Sequence, residues 1–127
     1  MYERHGLKPV HNYKEFVNLL ELVGKEKIKL FVATKDEQMV GGILVFLANS
    51  LVMHAQYIAS DSNFQEYRPV NIITDYIIDW GIQHNYKYLN LGNPNEEKGR
   101  AINSGLCRFK ESFAGRGVLR ETMHLIL

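Results

Sequence analysis

The 127-residue sequence has one cysteine, three prolines and one tryptophan, and it carries almost no net charge. Cys107 has no partner for an internal disulfide, and the five histidines show no spacing typical of a zinc site. Basic and acidic side chains nearly balance, at 15 and 14, so no overall charge favours DNA or a membrane surface. The longest apolar stretch, around residues 40–48, is about half as long as a membrane-spanning helix requires. These absences favour a soluble, cytoplasmic protein with no metal site and no membrane span.

The first half of the sequence predicts one helix and three strands. Apolar residues at helical spacing over 11–23, between a capping signal at Asn12 and a stop at Gly24, predict an amphipathic helix. Runs rich in β-branched and aromatic residues predict strands at residues 28–35, 39–48 and 51–60. Because the turns between them are short, we expect antiparallel hairpins. Gly41 and Gly42 inside the second strand predict a bulge or a close approach by another backbone.

The second half alternates helices and strands. Pro69 follows the polar residues 61–68 and opens a helix that we expect to end near residue 84. Residues 87–91 are a predicted strand, and the preceding helix favours a parallel crossover beside the third strand. The remaining predicted elements are a polar loop at 92–100, a helix with Ile102, Leu106, Phe109 and Phe113 on one face and Gly115 at its end, and a strand at 118–127. This order predicts a mixed α/β sheet with helices available for both faces, in a single domain.

Three features have side chains suited to binding or catalysis. The helix beginning at Pro69 offers free N–H groups to an anion, although a capped helix without a ligand explains the same residues. Residues 98–120 contain six basic side chains and one acidic side chain, which favours a local anion site, with a solvated surface as the alternative. Histidine exchanges protons near neutral pH, so His54 is a candidate to take a proton from an amine. A hydrogen-bonded structural histidine is the other interpretation.

The order of elements and several strings together resemble the GNAT acyltransferase fold. Within that fold they are similar to the branch of Fem-type peptidoglycan aminoacyltransferases and BioF2-like acetyltransferase domains. The strings are Val40-Gly41-Gly42, residues 54–60, WGIQHNYKYLNLG at 80–92 and RFKESFAG at 108–115. The resemblance implies a GNAT-like mixed sheet that lacks the first strand and helix of a full domain, so a C-terminal fragment of a longer protein is one interpretation. It implies transfer of an acyl or aminoacyl group to the amine of a small molecule or a peptidoglycan precursor.

The resemblance also implies roles for particular residues. A coenzyme A donor would lie where the third strand separates from the parallel strand, and the residues expected to hold it are Ile58, Ala59, Ser60, Gln65, Arg68, Val70, Asn71, Gly92 and Asn93. The residues expected to act in catalysis are His54, Asn90 and Lys110. Lys110 matches the lysine of the Fem-type string and would hold a negatively charged donor or substrate.

Two alternatives concern the donor and the activity itself. A typical GNAT phosphate loop has Gln or Arg followed by two glycines, whereas residues 65–70 read QEYRPV and Pro69 has no N–H. This departure leaves acetyl-CoA or another acyl-CoA as one donor and aminoacyl-tRNA as the other. A non-catalytic GNAT-like relic or half-domain that binds a partner chain is the rival function. The strand at 28–35 would form a sheet edge unless the helix over 11–23 or another subunit covers it, and because an open apolar edge favours association we predict a homodimer.

Overall fold

The computed structural model describes residues 13–96, 100–119, 121 and 123–126. They fall into two compact units, one ending at Gly92 and the other beginning at Asn93. The first unit contains α1 (Tyr13–Val23), β1 (Ile28–Lys35), β2 (Gln38–Leu47), β3 (Val52–Ser60), α2 (Pro69–Gln83) and β4 (Tyr88–Asn90). The second unit contains β5 (Asn95–Glu96), β6 (Ala101–Ile102) and α3 (Ser104–Glu111). None of the described helices is long and apolar enough to cross a membrane.

The four longer strands form one sheet in the order β1-β2-β3-β4. β1, β2 and β3 are antiparallel neighbours, as their short connections require, and β4 runs parallel to β3 after the α2 crossover. The predicted mixed α/β sheet is confirmed, and the elements from β1 to β4 begin and end within one residue of their predicted bounds. The predicted Asn12 cap of α1 lies outside the described residues.

The core of the first unit lies between the sheet and α2. Its buried members are Ile43 and Val45 of β2, Met53 and Ala55 of β3, and Ile73 and Ile77 of α2. Val45 is 0% exposed and Ile77 is 1% exposed. Successive strand residues point to opposite faces, so His54 points away from α2. On that opposite face α1 contacts the sheet through Phe16 and Tyr57, whose ring centroids are 6.2 Å apart.

The glycine pair lies where α2 begins close to the sheet. A Cβ atom on Gly41 would be 3.0 Å from Cβ of Pro69, the first residue of α2, so only glycine fits there without movement. The pairing of β1 with β2 shifts between Ala33 and Thr34, which leaves Val40 as a bulge beside Gly41. The predicted bulge is therefore present, at Val40 beside the glycine pair, and the close approach at Gly41 is by the side chain of Pro69 rather than by another backbone.

In the second unit the structure corrects two predictions. The prediction of an uninterrupted loop over 92–100 is wrong, because β5 pairs antiparallel with β6. The predicted apolar helix face is too long, because α3 starts after Asn103, whose side chain accepts a hydrogen bond from the Leu106 N–H at 2.9 Å. Ile102 and Phe113 therefore lie outside the helix.

The end of α3 involves both an alanine and a glycine. Ala114 adopts a left-handed conformation with a φ of 60°, although Gly115 was the predicted end of the helix. Gly115 is needed for space, since a Cβ atom there would lie 2.6 Å from the carbonyl oxygen of Lys110. The FAG string thus ends the helix through two adjacent positions with different constraints.

The predicted strand at 118–127 is wrong for the residues that the structure describes there. Residues 118, 119, 121 and 123–126 have no strand pairing, and Val118 and Ile126 are 90% and 95% exposed. Apolar and β-branched composition favours a strand only where a neighbouring strand supplies hydrogen bonds and a packing surface. Among the described residues no strand pairs with this segment.

Candidate functional site

β3 and β4 pair over three positions and then separate. The pairs are Val52 with Tyr88, Met53 with Leu89 and His54 with Asn90. β4 ends at Asn90, whereas β3 continues over residues 55–60 with β2 as its partner among the described residues. A shift in the pairing with β2 places a bulge at Gln56, where the two parallel strands part. The edge of β3 beyond His54 is therefore open on the side of β4.

Ile58, Ala59 and Ser60 lie on this open stretch of β3. They pair on the other side with Ile43, Gly42 and Gly41 of β2. The structure thus places the three residues expected along a donor's arm on the segment where β3 has separated from β4. Their contact with a ligand stays a prediction.

A short 3-10 helix, Ser62–Tyr67, connects β3 to α2, where the sequence indicated a polar loop. The Asp61 carboxylate accepts a hydrogen bond from the Asn63 N–H at 2.9 Å and caps this turn. Nε2 of Gln65 donates to Oγ of Ser60 at 2.7 Å and to the carbonyl oxygen of Asp61 at 3.3 Å. The Gln65 side chain therefore links the 3-10 helix to the end of β3 by hydrogen bonds. Sequence analysis missed Asp61, although an Asp two residues before the Asn63 N–H is a recognisable capping pattern.

Arg68 precedes α2 in a left-handed conformation, with a φ of 48° and a ψ of 54°. This region disfavours residues with a Cβ atom by about 1–2 kcal/mol, so glycine usually occupies it. The backbone here has a glycine-like conformation although residues 65–70 contain no glycine. Arg68 is exposed and forms no ion pair with a carboxylate of the described residues. Its charge is therefore available to an anion.

The first turn of α2 has one unused backbone donor. Pro69 has no N–H, and the N–H groups of Asn71 and Ile72 donate to the Arg68 carbonyl oxygen at 3.0 and 3.3 Å. The Val70 N–H has no acceptor within the described part of the chain, and no side chain caps this helix. The positive end of the helix dipole, this N–H group and Arg68 all follow the open stretch of β3.

His54 and Asn90 form the last pair before the strands separate. Nε2 of His54 is 2.9 Å from Oε1 of Gln56, which lies on the same strand. Oδ1 of Asn90 accepts a hydrogen bond from the Gly92 N–H at 2.8 Å, and Gly92 has a φ of 77°. The Asn90 side chain therefore shapes the turn that ends β4, and Gly92 provides the left-handed residue that this turn requires.

The other two expected site residues belong to the second unit. Asn93 accepts a hydrogen bond from the Asn95 N–H at 2.8 Å and so bends the chain before β5. Lys110 lies near the end of α3 and is half-buried, and burial lowers its pKa below the ordinary lysine value, an effect that Cys107 partly opposes. The joint anion site of Lys110 with Arg68 stays a prediction, as does the place of Asn93 in a binding site.

The Lys110→Ala variant tests that prediction. A charge-assisted contact contributes about 1.5–3 kcal/mol, so an anionic ligand held by Lys110 should bind roughly ten- to a hundredfold more weakly to the variant, with acetyl-CoA as the probe. The free energy of unfolding should stay within about 0.5 kcal/mol of the parent value. Isothermal calorimetry and urea denaturation measure the two quantities, and Lys110→Arg, which keeps the charge, is the control. A loss of stability with unchanged affinity would show that Lys110 only packs its aliphatic stem.

Comparison with protein-family models agrees with this geometry. The model of the acetyltransferase (GNAT) domain matches residues 1–111. The chain belongs to the GNAT acetyltransferase family. The match supports the GNAT domain, and neither it nor the structural comparisons support the narrower Fem-type or BioF2-like branch.

Solved structures share the GNAT fold of this chain at low sequence identity. AAC(6')-Iy in complex with the bisubstrate analogue CoA-S-monomethyl-acetylneamine is 14% identical, with a TM-score of 0.68 over 98% of this chain and 86% of that one. A ribosomal-protein-alanine N-acetyltransferase from Brucella melitensis biovar Abortus 2308 is 14% identical, with a TM-score of 0.62 over 98% and 86%. A GNAT family acetyltransferase from Elizabethkingia anophelis with acetyl-CoA bound is 16% identical, with a TM-score of 0.57 over 76% and 58%. A search of curated proteins gives no significant match.

Proposed function

We propose that this chain is a single GNAT-type N-acyltransferase domain that takes its acyl group from acyl-CoA. The proposal rests on the features that follow one another along the chain from β3 to the start of α2. The open edge beyond His54 leads to Arg68 and to the free Val70 N–H at the start of α2. The arm of an acyl-CoA contains amides that can pair with a strand edge, and its pyrophosphate suits a cation beside a helix N-terminus. The residues present therefore fit both parts of this donor.

The missing glycines do not oppose this donor. Glycine at a phosphate loop supplies a backbone conformation and leaves room, and Arg68 already adopts the left-handed conformation. The guanidinium of Arg68 supplies a positive charge next to Pro69, which has no N–H group to donate a hydrogen bond. The GNAT acetyltransferase from Elizabethkingia anophelis, which shares the fold, has acetyl-CoA bound. These observations favour acyl-CoA over aminoacyl-tRNA, which we keep as the alternative donor.

The acceptor that fits this chemistry is an amine. Its unprotonated nitrogen attacks the carbonyl carbon of the thioester, the C–N bond forms, the C–S bond breaks, and the thiolate takes up the proton that the nitrogen loses. Acyl transfer of this kind needs orientation and a polarised carbonyl more than a protein nucleophile. We assign His54 as the residue that takes this proton from the nitrogen and passes it to the thiolate, with Oε1 of Gln56 orienting its ring at 2.9 Å from Nε2. Asn90, opposite His54, holds the end of β4 in place.

Two measurements on the full chain test the proposal. Calorimetric titration with acetyl-CoA should show saturable binding, and the release of free thiol should then depend on an added amine. Absence of heat at millimolar acetyl-CoA would overturn the coenzyme A donor. Binding without amine-dependent thiol release would favour the rival function, a GNAT-like domain that binds but does not catalyse.

We also propose that two copies of the chain associate through β1, which is an edge of the sheet formed by the described residues. Leu30 and Val32 on this strand are 62% and 47% exposed, and an uncovered apolar edge favours association. Light scattering at tens of micromolar should give the mass of a dimer. Val32→Lys should shift the mass to that of a monomer, because a charge on the edge opposes strand pairing. A parent chain that is monomeric at that concentration would contradict the proposal.

A further inference from the structure

The Gln65 side chain uses both hydrogens of its amide within the connection between β3 and α2. Nε2 donates to Oγ of Ser60 at 2.7 Å and to the carbonyl oxygen of Asp61 at 3.3 Å. A glutamine amide has two hydrogens to donate, and its oxygen can only accept. The resemblance to the GNAT fold predicts that Gln65 holds the donor, but in this arrangement its side chain has no hydrogen left to give to a phosphate.

The backbone of Gln65 is linked to Arg68 at the other end of the 3-10 helix. The Gln65 carbonyl oxygen accepts a hydrogen bond from the Arg68 N–H at 3.0 Å, and this bond closes the last turn of the 3-10 helix. The Arg68 carbonyl oxygen in turn accepts from the N–H groups of Asn71 and Ile72 in α2. Gln65 therefore connects the end of β3, through its side chain, with the start of α2, through its carbonyl group.

Arg68 has a backbone conformation that its surroundings must hold in place. It lies in the left-handed region, which costs free energy for a residue with a Cβ atom and persists only where neighbouring structure maintains it. Its side chain is exposed and forms no ion pair with a carboxylate of the residues that the structure describes. The backbone around Arg68 therefore decides whether its charge stays beside the free Val70 N–H.

We propose that Gln65 is a positioning residue for the anion site at the start of α2, and that it acts through Ser60 and Arg68 without touching the donor. The inference rests on the proposed function, in which the anion at this site is the pyrophosphate of acyl-CoA. Ser60 is the fixed point, because it ends β3 and pairs with Gly41 of β2. Without the Gln65 side chain the charge of Arg68 remains, but the turn that carries it is no longer bound to Ser60.

Inorganic pyrophosphate is the probe, because it carries the anion without the arm of the donor. It is titrated into the full chain at neutral pH and followed by NMR shifts of the Arg68 and Val70 amides. Gln65→Met keeps the length of the side chain and removes its hydrogen bonds, so pyrophosphate should bind roughly three- to tenfold more weakly. Gln83→Met, at an exposed position at the end of α2, is the matched control and should bind pyrophosphate as the parent does.

Variants of Ser60 separate positioning from direct contact. Ser60→Ala removes the hydroxyl that accepts the Gln65 amide, so it should weaken pyrophosphate binding as much as Gln65→Met does. Ser60→Thr keeps a hydroxyl and should bind as the parent does. The double variant of Gln65→Met with Ser60→Ala should lose no more than Gln65→Met alone, because the two side chains form one contact. Parental affinity in Ser60→Ala, or losses that add in the double variant, would overturn the inference.

Urea denaturation of the same variants separates positioning from a purely structural role. A hydrogen bond that only supports the fold would lower the free energy of unfolding and leave the affinity of the folded protein for pyrophosphate unchanged. That result would contradict the positioning role of Gln65. A parent chain that does not bind pyrophosphate would also contradict it, because Arg68 would then hold no anion.

Titration with acetyl-CoA separates the inference from the proposed function. If acetyl-CoA binds but Gln65→Met has parental affinity for pyrophosphate, the positioning role is wrong and the acyltransferase proposal stands. If pyrophosphate binds and depends on Gln65 and Ser60 while acetyl-CoA does not bind, the coenzyme A donor is wrong and the positioning role stands.

Discussion

Arg68→Asn should weaken acetyl-CoA binding by roughly ten- to a hundredfold, the effect of losing one charge-assisted contact of about 1.5–3 kcal/mol. Asparagine tolerates the left-handed region better than other residues with a Cβ atom, so the backbone at a φ of 48° should be kept. The free energy of unfolding should change by no more than about 0.5 kcal/mol. Calorimetry gives the affinity, and urea denaturation gives the stability.

Lys87→Asn is the matched control for Arg68→Asn. Lys87 is exposed and directly precedes β4, at the opposite end of the parallel pair from the start of α2. Its loss removes the same net charge, so it should leave acetyl-CoA affinity unchanged at physiological salt, where charges this far apart are screened. Equal weakening by both variants would indicate a general charge effect. An Arg68→Asn protein with parental affinity would show that the anion is held by other residues.

Ile77→Ala should lower the free energy of unfolding by about 2–5 kcal/mol, the range for removing a large aliphatic side chain from a packed core. Ile77 is 1% exposed and packs in the cluster between α2 and the sheet. Urea denaturation with a shared m value measures the change. Ile82→Ala, at a position of the same helix that is 66% exposed, should change stability by much less. If Ile77→Ala lowers the free energy of unfolding by less than about 1 kcal/mol, neighbouring core residues must move to fill the space that the side chain leaves.

The elements that were predicted well are those whose ends and apolar spacing are both marked in the local sequence. β1 has its predicted bounds, and α2 begins at Pro69 as predicted, because a proline that suits the first helical turn precedes a regular apolar spacing. β5 and β6 were missed because two residues are too few to show a period. The segment after residue 117 has the composition of a strand, but composition does not supply a partner strand.

The candidate site was predicted less completely than the fold. Ile58 to Ser60 were expected from the resemblance to the GNAT fold, and the structure places them on the stretch of β3 that has separated from β4. The sequence gives no indication of the left-handed conformation of Arg68, since arginine ordinarily avoids that region.

The short pairing of β4 with β3 has a consequence for the order in which the domain assembles. β1, β2 and β3 are joined by tight turns, so their contacts are local and close quickly. β4 can pair only after the chain of α2 has folded back, and it pairs with β3 at three positions. Local unfolding should therefore release β4 before it disturbs the meander. The cleft between β3 and β4 exists only while β4 is paired with β3. Conditions that release β4 alone should therefore abolish ligand binding while β1, β2 and β3 stay folded.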